Sequence, residues 1–194
     1  MQNTEQLIAV YADGKSYSFR RSGAQAESIY GGPLSQTVTG CAFGPARLHH
    51  VASLSDSSLP LLKTPGRFVF NLPLVYGFRF DGCLLEYRFD VSEVEVLRIL
   101  PDESSDDWPY LDYPSLLPYI PIDADPPIEQ DWTEFASQFS MFSEKPPAEL
   151  VAVVPPAFLT GHSLWGRDGD LEGVCVVFEC DLARRVVRAY NVCT

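Results

Sequence analysis

Apolar or alternating runs on either side of a turn predict a β-hairpin at each end of the chain. Near the N-terminus, the apolar run at residues 7–11 and the alternating run at residues 16–20 flank Asp13-Gly14. An Asp-Gly pair accepts the positive φ of a type I′ turn, which matches the twist of the flanking strands. At the other end, residues 174–179 and 186–192 flank a turn at residues 181–184. We expect each pair of segments to form an antiparallel hairpin.

The most regular alternation lies between residues 67 and 100 and predicts an antiparallel meander with one buried face. Aromatic and aliphatic residues of one parity lead into Asp81-Gly82, and a second alternating run follows that turn. The last run changes parity between Val96 and Leu97, which indicates a β-bulge. Shorter strands are predicted at residues 47–54 and 150–154.

One amphipathic helix is predicted, over residues 128–142. Six apolar residues form a single stripe at helical spacing: Ile128, Trp132, Phe135, Ala136, Phe139 and Phe142. Pro126-Pro127 suit the start of a helix, and Pro146-Pro147 suit its stop. The predicted fold class is α+β: a mostly antiparallel β-sheet of hairpins and a meander, with one main amphipathic helix packed on it. We expect residues 1–194 to form a single domain.

Composition favours a globular protein of a reducing compartment. Hydrophobic residues make up 46% of the 194 residues, a share that permits a sizeable core. No run of 18 apolar residues occurs, and the first residues lack the basic region and apolar core of a signal peptide. The five cysteines include no C-x-x-C pair, which argues against both a disulfide framework and a structural zinc site. We therefore expect a cytoplasmic protein that does not bind membranes.

Nearly all of the net charge of −12 lies in one stretch of the chain. No Lys or Arg occurs between Arg98 and Lys145, and this interval, the acidic interval, carries eleven acids: Asp102, Glu103, Asp106, Asp107, Asp112, Asp123, Asp125, Glu129, Asp131, Glu134 and Glu144. The other 15 acids and 14 bases nearly cancel. Because negative charge repels phosphate, direct nucleic-acid binding is not expected, whereas a basic protein would be attracted.

Residues 101–127 combine this charge with proline and aromatic residues. Seven of the 16 prolines fall here, and they are expected to exclude both a helix and a central strand. We predict an ordered, extended loop that binds a partner through eight residues: Asp102, Glu103, Asp106, Asp107, Trp108, Tyr110, Asp112 and Tyr113. The alternative is a solvated acidic loop whose rings pack inward against the protein's own sheet.

The string Gly161-His162-Ser163-Leu164-Trp165-Gly166 resembles the G-x-S-x-G nucleophile turn of α/β-hydrolases. Trp165 occupies the position where that turn needs a very small residue. The hydrolase order also places the catalytic His after the Ser, and no His follows His162 in this chain. We therefore expect Ser163 to be structural and the protein not to be an enzyme.

Residues 168–179 carry acids in the spacing of an EF-hand calcium loop. Asp168, Asp170, Glu172 and Glu179 fall at loop positions 1, 3, 5 and 12, with Gly173 at position 6. The preceding residues contain prolines and glycines that make a poor entering helix, so an acidic turn is expected instead.

Two further groups are expected to be structural. His49-His50 lacks other ligands at metal-binding spacing, and paired acids such as Asp106-Asp107 are expected to be solvated. We predict no metal site and no cofactor.

Three stretches resemble a known class of proteins. They are residues 72–83 (LPLVYGFRFDGC), 163–166 (SLWG) and 178–182 (FECDL). They are similar to strings in bacterial proteins that are paired with toxins, and the chain looks like the cytoplasmic immunity proteins of type VI secretion systems. The resemblance implies an antitoxin that binds a cognate secreted toxin and blocks or distorts it. On charge grounds, the favoured partner is a basic toxin acting in the cytoplasm, such as a nuclease.

Three other functions stay open at this point. The chain could be a small serine hydrolase using Ser163, or a calcium-binding module at residues 168–179. It could also be an inhibitor that imitates DNA, because dense carboxylates resemble a row of phosphates.

Overall fold

The computed structural model describes residues 6–23, 25–41, 48–63, 71–78, 83–100, 114–156, 158–159, 162–164 and 174–193. In these ranges the strands are β1 (Gln6–Ala12), β2 (Lys15–Arg21), β3 (Ser28–Tyr30), β4 (Thr37–Thr39), β5 (His49–Ser55), β6 (Asn71–Tyr76), β7 (Leu84–Phe89), β8 (Glu93–Leu100), β9 (Ile120–Ala124), β10 (Ile128–Glu129), β11 (Leu150–Val154), β12 (Phe158–Leu159), β13 (His162–Ser163), β14 (Val174–Asp181) and β15 (Val186–Cys193). The described ranges also contain a 3-10 turn, Pro60–Lys63, and one short α-helix, α1, Trp132–Ser137.

Thirteen of these strands form one sheet. Its order is β4-β8-β7-β15-β14-β11-β1-β2-β9-β3-β5-β6, and β10 adds to β2 outside this path. Neighbouring strands are antiparallel except β4 and β8, which pair in parallel. The remaining two strands, β12 and β13, form a separate antiparallel pair. The prediction of a mostly antiparallel sheet is confirmed.

Both terminal hairpins are confirmed. β1 and β2 pair from Ala12 opposite Lys15, and the two turn residues have positive φ, 50° at Asp13 and 71° at Gly14. Positive φ at both central positions is the signature of the expected type I′ turn. β14 and β15 pair over their full lengths and form the predicted closing hairpin.

The bulge in β8 is also confirmed. Glu86 of β7 lies opposite Arg98, but Tyr87 lies opposite Val96, which leaves Leu97 as the extra residue. An extra residue shifts the alternation of side chains between the two faces of the sheet. Leu97 therefore points outward and is 40% exposed, while Val96 and Ile99 stay buried.

The predicted meander is wrong in one respect, because β6 and β7 are not neighbours. β6 pairs with β5 at one end of the sheet, and β7 pairs with β8 and β15 near the other end. Alternation in each run specified which face is buried, but it carries no information about which strand lies alongside. The predicted turn at Asp81-Gly82 lies outside the described residues.

Two buried tyrosines join the distant ends of the sheet. The Tyr87 hydroxyl donates to the carbonyl oxygen of Pro73 at 2.7 Å and accepts from the Val75 amide at 3.0 Å, both on β6. In return, the Tyr76 hydroxyl of β6 accepts from the Cys83 amide at 3.2 Å. It also lies 3.2 Å from the Asn191 side-chain oxygen of β15. The last strand of the sheet is therefore held against β7 and β15 across the core.

The sheet is covered on part of its second face by α1. Trp132, Phe135 and Phe139 pack in a cluster with the outward residues of three adjacent strands: Ala9 and Tyr11 of β1, Val151 and Val153 of β11, and Cys175 and Val177 of β14. The Tyr11 ring contacts both Trp132 and Phe135, each at a centroid distance of 5.3 Å. Helix packing on the sheet is thus present, although the helix is much shorter than predicted.

The helix predicted over residues 128–142 spans only Trp132–Ser137. Asp131 caps its start, since its carboxylate accepts from the Glu134 amide at 2.9 Å, and this leaves Ile128 in β10 with its side chain 61% exposed. Ser140 has φ of 53°, a left-handed conformation that ends the helical path. Phe142, predicted to be in the apolar stripe, is consequently 99% exposed.

A central strand contains a proline, contrary to the prediction for residues 101–127. β9 lies between β2 and β3 and includes Pro121. The Pro121 carbonyl accepts from the Ser22 amide at 2.9 Å, one residue beyond the end of β2. Because the nitrogen of a strand residue points to the same side as its carbonyl, the missing N–H faces the end of β2, where the ladder has already stopped.

The tyrosine bridge yields a stability prediction. Tyr87→Phe removes the hydroxyl that bonds to the Pro73 carbonyl and the Val75 amide. Both backbone groups then stay buried and lose this hydrogen-bond partner. We expect the free energy of unfolding to fall by about 1–3 kcal/mol, measured by urea denaturation. Tyr190→Phe is the control, because its half-buried hydroxyl donates to the Glu179 carboxylate at 2.7 Å and should cost less. Equal losses in the two variants would contradict the bridging role.

Candidate functional site

The eight residues predicted to bind a partner lie outside the described part of the chain. Asp102, Glu103, Asp106, Asp107, Trp108, Tyr110, Asp112 and Tyr113 all fall within residues 101–113. Their binding role, and the alternative of inward-packed rings, remain predictions. The structure describes the two ends of this segment, at the end of β8 and from Pro114 onward.

The returning end of the segment is held closely against β3 and β5. His49 Nε2 lies 2.9 Å from the Pro114 carbonyl oxygen, which can only accept, so His49 donates this bond. The Gly32 amide donates to the Leu117 carbonyl at 2.9 Å. Gly31 has φ of 64°, and a Cβ at this position would lie 2.2 Å from the Pro118 carbonyl oxygen. Only glycine permits this close approach, so the chain re-enters the sheet at a defined place.

Six of the eleven acids of the acidic interval are described, and four of them have partners within the protein. Asp125 pairs with Arg20 at 2.7 Å, and Glu129 pairs with Lys15 at 3.5 Å. Asp123 accepts from the Ser58 hydroxyl at 3.0 Å. The Thr133 hydroxyl and the Glu134 amide hold the pKa of Asp131 below its usual value. All four are exposed, so these contacts orient the carboxylates at the surface and do not bury them.

A groove of about 510 Å³ lies at the end of α1. Its lining includes Thr133, Ala136, Ser140, Met141, Phe142 and Glu144. Trp132 donates its indole N–H to the Ser143 carbonyl at 2.7 Å, which ties the loop after the helix back onto the helix. The groove therefore combines an apolar surface with a carboxylate and with the fully exposed ring of Phe142.

In the described ranges, Ser163 and the pair His49-His50 lie in strands of different sheets. Ser163 pairs with Phe158 between β13 and β12, away from the main sheet. His49 and His50 lie in β5, where their ring nitrogens bond to Pro114 and Ser53. The prediction that the chain is not an enzyme stays a prediction.

An EF-hand calcium loop is preceded by a helix, and the described residues before the candidate loop do not form one. Residues 168–173 lie outside them, while the preceding segments form β12 and β13, not an entering helix. Glu179, at the last ligand position, lies in β14, where it accepts from Tyr190 at 2.7 Å and pairs with Arg188 at 3.7 Å. Within the described ranges, no group of three or more His, Cys, Asp or Glu residues could hold a metal ion.

The sequence reasoning missed a buried histidine–serine pair in β5. His50 Nε2 and Ser53 Oγ lie 2.8 Å apart, a contact that a nucleophile and its base can make. A bulge between His50 and Ala52 places the two side chains on the same face, and alternation alone gives no sign of it. The exposed fractions are only 5% for His50 and 8% for Ser53, so the pair is a core contact with little surface for a substrate.

Cys41, Cys83, Cys175 and Cys180 are free thiols. Burial raises the pKa of Cys83 to about 12 and that of Cys175 to about 11. Because the thiolate is the reactive form, these residues behave as small apolar side chains of the core.

Comparison with known proteins gave no match to a family model, to a curated protein or to a solved structure. No helix in the described ranges is long and apolar enough to cross a membrane.

His50 yields a pH prediction. Burial lowers its pKa, and backbone groups of Gly31, Gly32 and Ala52 partly oppose the shift. The unfolded chain takes up a proton near pH 6.5, whereas folded His50 stays neutral to a lower pH, so stability is lost as pH falls below about 6.5. We expect His50→Gln to flatten the fall in unfolding free energy between pH 7 and 5, by up to about 1.4 kcal/mol per pH unit. Parallel curves for the two proteins would contradict this assignment.

Proposed function

We propose that this protein is a cytoplasmic immunity protein that binds and neutralises a cognate toxin delivered by type VI secretion. The favoured toxin is basic, such as a nuclease. The proposal rests mainly on one observation: the acidic interval contributes −11 of the net charge of −12. The resemblance of residues 72–83, 163–166 and 178–182 to toxin-associated proteins supports it.

The stability of the fold does not account for this charge. Eleven like charges with no intervening Lys or Arg repel one another, and exposed ion pairs such as Glu129 with Lys15 contribute about 0–1 kcal/mol each. A basic partner would turn the repulsion into attraction. Charge of this kind mainly accelerates encounter and selects the partner.

The support beneath the described part of the acidic interval, from Pro114 onward, favours binding with little rearrangement. β9 is a central strand, and the residues before it are tied to His49 and Gly32. α1 packs on three strands of the same sheet. Acids carried on such a scaffold lose little conformational freedom on binding, which lowers the entropic cost of association.

In this proposal, the predicted contacts in residues 101–113 divide into two roles. Asp102, Glu103, Asp106, Asp107 and Asp112 steer the partner, whereas Trp108, Tyr110 and Tyr113 would be the anchors that slow dissociation. The DNA-imitating mode is a special case in which the carboxylates occupy the phosphate-binding surface of a nuclease.

Two charge-reversal variants test the steering role. Asp106→Lys with Asp107→Lys, and the control Glu27→Lys with Glu149→Lys, each change the net charge from −12 to −8. Glu27 and Glu149 are exposed and lie outside the acidic interval. With the toxin encoded beside this gene as partner, we expect the first pair to slow association about fivefold or more, measured by stopped flow at low salt. The control pair should change the rate much less.

Salt provides the second arm of the test. Raising the ionic strength should slow association of the unchanged protein, because exposed charges are screened over about 8 Å at physiological salt. An association rate that does not respond to salt, or equal slowing by the two variants, would contradict steering by the acidic interval. Failure of the unchanged protein to bind and to protect cells from the toxin would refute the proposed function itself.

A further inference from the structure

Phe142 is an apolar ring placed almost wholly in solvent. It is 99% exposed, the highest value among the large hydrophobic residues of the described chain. Exposing a phenylalanine forgoes about 1.5–3 kcal/mol that burial would contribute. Nearby Trp132, Phe135 and Phe139 are all buried in the cluster beneath α1, whereas Phe142 is not part of it.

The loop that carries Phe142 is anchored on both sides of the ring. On one side, the Met141 amide donates to the Ala136 carbonyl at 3.0 Å, and the Met141 side chain packs against the cluster under α1. On the other side, the Ser143 carbonyl accepts from the Trp132 indole at 2.7 Å, and the Ser143 hydroxyl donates to the Lys145 carbonyl at 2.6 Å. The ring is therefore presented by a built turn, which lowers the entropy lost when a partner binds it.

The groove beside Phe142 has a size suited to side chains of another protein. At about 510 Å³ it lies within the range of sites that take a small ligand or a few side chains. Ala136 and Met141 give it an apolar floor next to the ring. A small apolar groove with a protruding aromatic residue is the arrangement found at the centre of many protein interfaces.

The charges around the groove are mostly negative. Glu144 lines it, Asp131 is bonded to the lining residue Thr133, and Glu134 is exposed on the same helix. Lys145, next along the chain, is the one base close by in sequence. A second copy of this protein would bring these acids against each other, whereas a segment with Lys or Arg flanking an apolar side chain complements both the floor and the rim.

We propose that the groove formed by Thr133, Ala136, Ser140, Met141, Phe142 and Glu144 is a docking site for a basic segment of the toxin that carries an exposed apolar side chain. This inference rests on the proposed function and adds a contact separate from residues 101–113. The apolar side chain enters the groove against Ala136 and Met141, and Phe142 packs over it. Basic residues on either side meet Glu144 and Asp131.

The test compares truncations of two exposed apolar residues. Phe142→Ala should raise the dissociation rate from the purified cognate toxin at least about tenfold, measured by surface plasmon resonance. The control is Val91→Ala, since Val91 is 78% exposed in the turn between β7 and β8. It should leave the dissociation rate unchanged. Both variants should keep the melting temperature of the unchanged protein, because both side chains are mostly in solvent.

The rim is tested by a charge reversal. Glu144→Lys should slow association about twofold or more. The control is Glu27→Lys, which also reverses an exposed acid but lies outside the groove, and it should not slow association.

The outcomes separate the two proposals. If the unchanged protein binds the toxin and Phe142→Ala dissociates at the same rate, the groove proposal is overturned and the proposed function stands. If the unchanged protein does not bind the toxin, both fall. A dimer of the protein alone that Phe142→Ala abolishes, seen by analytical ultracentrifugation, would assign the groove to a second copy and also overturn the proposal.

Discussion

The reciprocal pair of tyrosine hydroxyls between β6 and β7 is the interaction on which the rest of the structure depends. Among the described strands β6 is at the end of the sheet, and Tyr87 bonds to two of its backbone groups while Tyr76 reaches back to Cys83 and Asn191. The contact is buried, and this burial raises the pKa of both tyrosines. Because β6 pairs with β5, the same contact positions His49 on β5, and His49 in turn holds Pro114 at the end of residues 101–113.

The local sequence pattern predicted the turns and strands of this fold far better than it predicted which strands pair with each other. The type I′ turn at Asp13-Gly14 and the bulge at Leu97 depend on a few adjacent residues, and both were found where expected. The partner of β6 depends on tyrosine contacts between distant strands, which alternation does not encode. Pro121 was misjudged because a proline is tolerated in a central strand when its nitrogen faces the end of a shorter neighbour, and that requires the register to be known.

The charged residues of the candidate sites could be predicted from the sequence, but their structural surroundings could not. The list of acids between Arg98 and Lys145 follows directly from the sequence, whereas their surroundings do not. Phe142 fits the helical stripe of Phe135 and Phe139 in spacing, so sequence reasoning assigned it to the core. Its exposure follows from the left-handed conformation of Ser140, and serine gives no signal for this, because glycine or asparagine is the usual residue in that region. The His50 and Ser53 contact was missed for a similar reason, since it depends on a bulge.

The central claim is that the acidic interval, residues 99–144, is the face this protein turns to a basic partner. Hydrogen–deuterium exchange of the free protein and of its complex with the cognate toxin tests it directly, because amides covered by a partner exchange more slowly. The account predicts slower exchange in the complex within residues 101–113 and 138–144, with no change in the turn between β7 and β8. Slower exchange confined to segments outside residues 99–144, with the acidic interval unchanged, would contradict it.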